Sequence, residues 1–240
     1  MRLSVVIPAY NEEATVVAVL DRVAAAPLPD AVTGIELVVV DDASRDDTWR
    51  AVSEWRPAAR ADGRPVTVGL ERHPSNRGKG AALRTGFARA GGDVVLVQDA
   101  DLEYDPREYP VLLQPILENV ADVVYGSRFL GGPHRVLLFW HAVGNRLLTL
   151  LSNVFTDLNL TDMETCYKVF RADVLRQARL TADRFGFEPE VTTRVARLGC
   201  RVYEVPISYP GRTYAEGKKI GWRDGVAAIW TILRCNLWDR

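Results

Sequence analysis

The chain has 240 residues, of which 48% are hydrophobic and 25% charged, and its formal net charge at pH 7 is -1. This composition is ordinary for a folded globular protein and suits one large α/β domain or two small ones. The nearly balanced charge argues against nucleic-acid binding, which usually requires a clear basic excess. The widely spaced Cys166, Cys200 and Cys235 indicate neither a zinc knuckle nor a disulfide framework, so we expect reduced thiols and a cytoplasmic protein.

Long apolar segments are absent from the sequence. The apolar run that follows Met1 is too short for a signal peptide. Nowhere do about 20 apolar residues follow one another, the length that a helix needs to cross a bilayer. We therefore predict no simple transmembrane helix, which leaves contact with a membrane surface open.

Strand-like and helix-like segments alternate over the first half of the chain. The runs typical of buried strands are Leu3–Ile7, Glu36–Val40, Val66–Leu70, Val94–Val97 and Val123–Tyr125. The segments with helical spacing are Glu12–Ala26, Asp46–Ala59, Gly80–Ala90 and Pro106–Asn119. This alternation predicts βαβ units and a mainly parallel sheet, whose ligands gather at the carboxyl ends of its strands.

Three carboxylates follow the fourth predicted strand at alternate positions, Asp99, Asp101 and Glu103. If the backbone stays extended there, its period of two places all three side chains on one side. Three like charges repel one another unless a cation lies among them, and hard oxygen ligands favour Mg²⁺ or Mn²⁺. The pattern therefore indicates a metal site for a phosphorylated substrate, with a solvated acidic turn as the alternative.

Polar residues also follow the first two predicted strands. Tyr10 and Glu12 come after the first, and Asp41 and Asp42 adjoin the second. Carboxylates at such positions can accept hydrogen bonds from a ribose or a base, and a tyrosine can stack on the base. Helix capping is the alternative, although it explains Asp41 and Asp42 less well because they directly follow a buried run.

A glycine-containing connection, Asn76–Gly80, joins the third predicted strand to its helix. Glycine permits a close backbone approach, and N–H groups at the start of a helix suit a phosphate. The spacing of a P-loop is missing, so this signal by itself is weak.

Taken together, these segments resemble family 2 glycosyltransferases with the GT-A fold. The matching motifs run in order through 6–13, 38–44, 76–80 and 99–103, then 126–128, 162–168 and 212–219. The last three resemble the polyprenyl-phosphate branch, which is similar to dolichyl-phosphate mannose synthase. The resemblance covers nearly the whole chain and implies a single α/β domain with a Rossmann-like, mixed but mainly parallel sheet flanked by helices. It also divides the chain into a nucleotide-sugar-binding half, 1–105, and an acceptor-binding half, 106–240.

The resemblance implies a role for individual residues. The metal, Mg²⁺ or Mn²⁺, would be held by Asp99, Asp101 and Glu103, although mannose synthases often have Gln at the position of Glu103. The nucleotide sugar would contact Pro8, Ala9, Tyr10, Glu12, Asp41, Asp42, Lys79, Asp99 and Ala100. The acceptor phosphate would contact Arg128, Arg146, Arg212 and Lys218, each of which has a solvated surface charge as its alternative. Asp101, Arg128, Arg212 and Lys218 would be catalytic, although the loop from Arg212 to Lys219 departs from the family's spacing and lacks its serine.

The implied reaction is an inverting transfer of a hexose from a nucleotide diphospho-sugar, of the GDP-mannose or UDP-glucose type, to polyprenyl or dolichyl phosphate. A phosphate nucleophile is already anionic and needs positioning more than a general base. Glu188 and Glu190 lie where relatives with hydroxyl acceptors can keep a base, and the start of a helix explains them equally. A small soluble acceptor, or nucleotide-sugar binding without catalysis, remains an alternative.

Two later segments carry apolar residues at helical spacing, 136–155 and 226–238. Such a pattern predicts helices that lie in the headgroup region of a membrane. Packing on the sheet, or on a second copy in a homodimer, is the alternative. We expect peripheral contact with the cytoplasmic face of a membrane.

Overall fold

The structure, a computed structural model, describes residues 1–131, 135–136, 139–184, 186–211 and 222–239. Within these ranges, seven strands form one sheet. The strands are β1 (Arg2–Ala9), β2 (Gly34–Asp41), β3 (Val66–Arg72), β4 (Val94–Val97), β5 (Val123–Ser127), β6 (Lys168–Arg171) and β7 (Val202–Pro206). The helices are α1 (Val16–Ala24), α2 (Thr48–Glu54), α3 (Lys79–Arg89), α4 (Tyr109–Leu117), α5 (Phe139–Thr156), α6 (Ala172–Ala178), α7 (Phe187–Arg197) and α8 (Trp222–Leu237), with a 3-10 turn at Pro106–Glu108 before α4.

The strand order is β3-β2-β1-β4-β6-β5-β7, and only β6 runs against its neighbours. The carboxyl ends of β1, β2, β4, β5 and β7 therefore share one edge of the sheet. Because β6 is reversed, its first residue, Lys168, lies at this same edge, and so does the chain that enters it. The predicted single-domain α/β fold with a mixed, mainly parallel sheet is confirmed.

Burial explains why the central strands were recognisable in the sequence. The apolar runs of β2 and β4 are buried on both faces, as in other parallel sheets covered by helices. Helix α3 packs closely on β1, and a methyl group added to Gly86 would clash with the side chain of Val6. The five predicted strands are all present, and three of the four predicted helices are shorter than expected because residues at their ends form turns or irregular structure.

Helices α5, α7 and α8 pack together beside the sheet. The outer surface of α5 and α8 keeps large apolar side chains exposed, including Trp140, which is 78% exposed. We call this surface the apolar helix face, and its exposed members are Phe139, Trp140, Leu147, Leu150, Val154, Val226, Ile229, Trp230, Leu237 and Trp238. Among the described residues, no helix combines the length and the apolar character needed to span a bilayer. The two segments predicted as amphipathic helices are thus helical, and α5 begins at Phe139 rather than at residue 136.

Candidate active site

The three carboxylates that follow β4 point to different partners. The carboxylate of Asp99 pairs with the Lys79 ammonium at 2.9 Å, and Asp101 accepts a hydrogen bond from the backbone N–H of Glu103 at 3.1 Å. Glu103 itself accepts a hydrogen bond from the Tyr209 hydroxyl at 3.0 Å. Leu102 has a φ of 60°, so the backbone turns here and the expectation of an extended segment is wrong.

As a consequence, the carboxylates are not gathered into one group. Across the part of the chain that the structure describes, no cluster of three or more His, Cys, Asp or Glu side chains is arranged to hold a metal ion. The two aspartates nevertheless offer hard oxygen ligands at the open edge of the sheet, where Asp99 is partly exposed. This donor set fits a cation that keeps water molecules and takes its other ligands from substrate phosphates. Metal binding by Asp99, Asp101 and Glu103 stays a prediction.

Lys79, the first residue of α3, lies between two acidic side chains. Its ammonium is 2.9 Å from Asp99 and 3.2 Å from Glu188. Burial by itself would lower the pKa of Lys79, but Asp99 and, to a smaller extent, Glu188 outweigh it and hold this pKa well above its usual value. A permanent positive charge is therefore fixed beside Asp99.

Several N–H groups of the glycine-containing segment before α3 bond to other parts of the protein. The N–H groups of Arg77 and Gly78 donate to the carboxylate of Asp42, at 2.9 and 2.7 Å. The N–H of Ala81 donates to the carbonyl of Asp183 at 3.0 Å. Three N–H groups around the start of the helix thus have acceptors within the protein, and phosphate binding by this segment stays a prediction.

The two aspartates at the end of β2 are buried and serve the protein itself. Asp42 bonds the two N–H groups just described and also the Nδ1 atom of His73 at 2.7 Å. Asp41 pairs with Arg72 at 2.9 Å and accepts a hydrogen bond from the N–H of Ser44 at 3.3 Å. These bonds shape the loops that follow β2 and β3, and direct contact of either aspartate with a nucleotide stays a prediction.

Four residues at and just after the end of β1 are predicted to contact the nucleotide sugar: Pro8 and Ala9 end the strand, and Tyr10 and Glu12 lie in the loop that follows. Ala9 pairs with Asp41 in the sheet register, and the N–H of Glu12 donates to the hydroxyl of Thr48 at 2.8 Å. The hydroxyl of Thr15 contacts the Glu12 carboxylate at 3.1 Å and the carbonyl of Ala100 at 2.7 Å. The loops after β1, β2 and β4 are therefore tied together at one edge, as the sequence predicted.

Arg128, just after β5, is held by a buried carboxylate. Its Nε and Nη2 atoms donate to Asp162 at 2.6 and 2.7 Å, and Nη2 also contacts Asn145 on α5 at 3.4 Å. Burial would lower the pKa of Arg128, but the Asp162 charge outweighs it and raises this pKa further above its usual value. Because β4 and β5 are separated by β6, Arg128 lies about two strand spacings, roughly 10 Å, from the β4 carboxylates.

A second cation of the predicted acceptor site lies near Arg128. The guanidinium groups of Arg128 and Arg146 are 5.9 and 5.8 Å from the ring of Phe129. The structure thus brings these two predicted residues together on one aromatic side chain. Arg212 and Lys218 lie outside the described residues, so their predicted roles stay predictions.

Glu188 and Glu190 differ in what they contact. Glu188 is buried beside Lys79, whereas Glu190 accepts hydrogen bonds from the N–H groups of Thr181 and Ala182 at 2.9 and 2.7 Å. The carboxylate of Glu190 therefore holds a turn in place, and Glu188 is the member of the pair that lies in the site.

Three other residues of the site carried no assigned role in the sequence analysis, namely Asp162, Glu164 and Tyr209. Among the described residues, nothing hydrogen-bonds the buried Oε1 atom of Glu164. Burial, together with the nearby Glu188, raises the pKa of Glu164 to about 8. Asp162 and Glu164 belong to a motif noted above, but the arginine that Asp162 holds is 34 positions away in the sequence. No local pattern marks Tyr209.

The sheet with one reversed strand, the acidic turn after β4 and the fixed cations beyond it are those of a GT-A glycosyltransferase. Residues 4–179 match the sequence model described as Glycosyl transferase family 2. The chain belongs to this family and is a glycosyltransferase.

The relatives include enzymes named for polyprenyl phosphates. The chain is 35% identical to an undecaprenyl-phosphate mannosyltransferase of Micrococcus luteus over 99% of both chains. It is 29% identical to a dolichol-phosphate mannosyltransferase of Pyrococcus furiosus, over 92% of this chain and 60% of that protein. An undecaprenyl-phosphate 4-deoxy-4-formamido-L-arabinose transferase of Pseudomonas aeruginosa is 32% identical over 90% of this chain and 60% of its own length. The chain thus spans nearly all of the first of these relatives and about three fifths of the other two.

Solved structures agree with the fold. The crystal structure of glucosyl-3-phosphoglycerate synthase from Mycobacterium tuberculosis, in complex with Mn²⁺, UDP and phosphoglyceric acid, superposes with a TM-score of 0.69 at 25% identity. The match covers 97% of this chain and 78% of the synthase. That enzyme has also been crystallised with Mg²⁺ and UDP, so this GT-A neighbour binds either divalent cation.

Proposed function

We propose that this glycosyltransferase transfers a hexose from a nucleotide diphospho-sugar to a polyprenyl phosphate, with a divalent cation and with inversion at the anomeric carbon. The observation that carries the proposal is the position of Arg128 beside α5. Asn145 on this helix contacts both Arg128 and Asp162, at 3.4 and 3.0 Å. The outer side of the same helix belongs to the apolar helix face. An acceptor that is anionic at one end and apolar along its length matches this combination.

Two sets of relatives support different acceptors. The Micrococcus luteus protein is named for undecaprenyl phosphate and is 35% identical over nearly the whole chain. The solved synthase binds phosphoglyceric acid, a small soluble acceptor, and is 25% identical. The higher identity and the exposed apolar helix face favour the lipid phosphate. A small soluble acceptor remains the second candidate because of the structural neighbour.

On the donor side, we propose that Asp99 and Asp101 hold the cation, with Glu103 next to them. When bound, the cation supplies Lewis-acid stabilisation of the departing diphosphate. Lys79, fixed by Asp99, adds a positive charge that does not depend on the metal. The nucleoside would lie against Pro8, Ala9 and Asp41, at the ends of β1 and β2, and against Tyr10, Glu12, Asp42 and Ala100 in the loops that follow β1, β2 and β4. Residues 1–105 would thus form the donor half of the site.

On the acceptor side, Arg128 and Arg146 would bind the lipid phosphate, joined by Arg212 and Lys218. An arginine held rigidly by Asp162 presents a preformed donor set to a phosphate, and its charge offsets the repulsion between the two anionic substrates. A phosphate oxygen is already deprotonated, so the attack needs no general base. A single displacement by that oxygen inverts the anomeric centre. Residues 106–240 would form this half.

The proposal is tested by incubating the enzyme, stripped of metal and then supplied with Mn²⁺ or Mg²⁺, with labelled GDP-mannose or UDP-glucose and a short-chain polyprenyl phosphate. We expect an organic-extractable product with one of the two donors, and no product while EDTA is present. NMR of the product should give the anomeric configuration opposite to that of the donor. Retained configuration would contradict the single displacement, and the absence of any lipid-linked product would contradict the acceptor.

We also propose that the apolar helix face contacts the membrane that contains this acceptor. Transfer of exposed Phe and Trp side chains out of water is worth roughly 1.5–3 kcal/mol each when complete. Replacing Phe139 and Trp140 with serine should therefore lower the partition of the protein into phosphatidylglycerol vesicles by about tenfold or more. Flotation of the vesicles measures the partition, with Tyr203→Ser as the control because Tyr203 is an exposed aromatic residue on β7. Equal flotation of both variants with the wild type, or a dimer that forms through this face, would contradict membrane contact.

A further inference from the structure

Tyr209 lies between the donor side and the acceptor side of the site. Its hydroxyl donates to the Oε2 atom of Glu103 at 3.0 Å. The face of its ring lies 5.1 Å from the guanidinium carbon of Arg128. One side chain therefore contacts the acidic turn after β4 and the cation after β5, which are separated by strand β6.

The backbone around Tyr209 is tied to three neighbouring elements. Its carbonyl accepts a hydrogen bond from the N–H of Arg135 at 3.0 Å. The N–H of Ile207 donates to Ser127, at the end of β5, and the N–H of Ser208 donates to the Glu108 carboxylate at 2.6 Å. The ring also packs on Tyr104, with centroids 5.7 Å apart. Because both its backbone and its ring are held in place, Tyr209 can fix the positions of the groups that it contacts.

The chemistry of both contacts suits a rigid link. A hydroxyl that donates to a carboxylate forms a charge-assisted hydrogen bond, which is roughly twice as strong as a neutral one. The guanidinium group of Arg128 forms an ion pair with Asp162 along its edge and lies against the Tyr209 ring with its face. The cation–π attraction to the ring adds to the ion pair. The orientation of the guanidinium plane is therefore determined from two directions.

We propose that Tyr209 is a positioning residue that sets the separation between Glu103 on the donor side and Arg128 on the acceptor side. This inference rests on the proposed function, because it treats Arg128 as a ligand of the acceptor phosphate. In a displacement between two anionic substrates, the attacking oxygen must approach the anomeric carbon to about 3–3.5 Å, and a misplacement of about 1 Å can cost 100-fold in rate. Linking the two sides through one side chain holds this distance.

The hydroxyl and the ring can be tested separately. Tyr209→Phe removes the hydroxyl and its bond to Glu103 but keeps the ring over Arg128, and it should lower kcat/KM for the nucleotide sugar about tenfold, with the KM for polyprenyl phosphate unchanged within about twofold. Tyr209→Leu also removes the ring from Arg128 and should raise the KM for polyprenyl phosphate about three- to tenfold. Tyr203→Phe, on exposed β7, is the control and should match the wild type. Tyr209 variants with both sets of constants unchanged would overturn the proposal.

A double-mutant cycle separates positioning from a general loss of folding. In a Glu103→Ala background, Tyr209→Phe should cause no further fall in kcat/KM for the nucleotide sugar, because its partner is already gone. If Tyr209→Phe still lowers kcat/KM for the nucleotide sugar tenfold in the Glu103→Ala background, Tyr209 does not act through Glu103 and the proposal is overturned. Failure of the proposed function is distinct, since the wild type would then transfer nothing to polyprenyl phosphate. If the wild type is active and the Tyr209 variants match it, only the positioning role is wrong.

Discussion

Replacing Asp101 with alanine is expected to lower the rate of sugar transfer by about 1,000-fold or more while the protein stays folded. Asp101 lies in the acidic turn after β4, at the edge where the loops after β1 and β2 are tied together. Loss of its carboxylate would remove a ligand of the cation that neutralises the departing diphosphate, and such electrostatic stabilisation is commonly the largest single contribution to catalysis.

The alanine variant also removes the hydrogen bond that Asp101 accepts from the N–H of Glu103, so a second variant is needed. Asp101→Asn keeps an oxygen acceptor for this bond but loses the charge, and we expect a similar fall in rate. The matched control is Asp173→Asn on α6, an exposed carboxylate at the opposite edge of the sheet, which should leave activity unchanged. Initial rates at saturating Mn²⁺ or Mg²⁺, with thermal unfolding of each variant, provide the measurement. An Asp101 variant that keeps more than about a tenth of the activity would remove the metal assignment.

Replacing Arg128 with lysine is expected to lower kcat/KM for the acceptor by about 100-fold, equivalent to about 2.7 kcal/mol, with little change in the KM for the donor. The guanidinium group of Arg128 donates two parallel hydrogen bonds to Asp162, and this bidentate contact fixes the direction of its remaining N–H groups. A lysine ammonium is a point charge on a flexible chain and lacks this fixed direction. The charge is conserved in this variant, so the loss reports geometry rather than electrostatics alone.

The lysine variant is preferred because alanine would leave the fully buried Asp162 without its cation, at a cost of about 3–5 kcal/mol of stability. The chain offers a close control in Arg201, which makes the same two-pronged contact with Asp122 at the opposite edge of the sheet. Arg201→Lys should leave both kinetic constants unchanged. If Arg128→Lys leaves kcat/KM for the acceptor unchanged, Arg128 does not bind the acceptor phosphate.

Much of the donor side could be predicted from the sequence because its signals are local. The apolar runs of β1, β2 and β4 are continuous, and polar residues follow each of them directly. In contrast, β6 has four residues and begins and ends with a basic side chain, and no apolar pattern distinguishes it. The direction of β6, which brings Asp162 and Glu164 to the site edge, therefore emerges only from the folded sheet.

One local pattern led to wrong geometry, and another makes contacts that the sequence does not indicate. Alternate spacing of Asp99, Asp101 and Glu103 implies one face only in an extended chain, and the left-handed conformation of Leu102 breaks that condition. At the start of α3, the N–H of Ala81 donates to Asp183, which is about 100 positions later in the sequence. The first outcome comes from a local backbone conformation, and the second comes from a contact between residues that are distant in the sequence.

The acceptor side depends on contacts between residues that are distant in the sequence. Arg128 and Asp162 are 34 positions apart, and Glu103 and Tyr209 are 106 positions apart. Neither pair forms a recognisable spacing. The resemblance to family 2 supplied Arg128, whereas the roles of Asp162 and Tyr209 required the three-dimensional arrangement.

The central claim is that a lipid phosphate, rather than a small soluble phosphate, is the acceptor at Arg128. The most direct measurement offers both in one reaction. The enzyme, Mn²⁺ and one labelled nucleotide sugar are incubated with equimolar short-chain polyprenyl phosphate and 3-phosphoglycerate, and the label is partitioned between organic and aqueous phases. We predict that the transferred sugar is recovered in the organic phase and that Arg128→Lys lowers the rate at which this product forms by about 100-fold. Transfer exclusively to 3-phosphoglycerate would contradict the account.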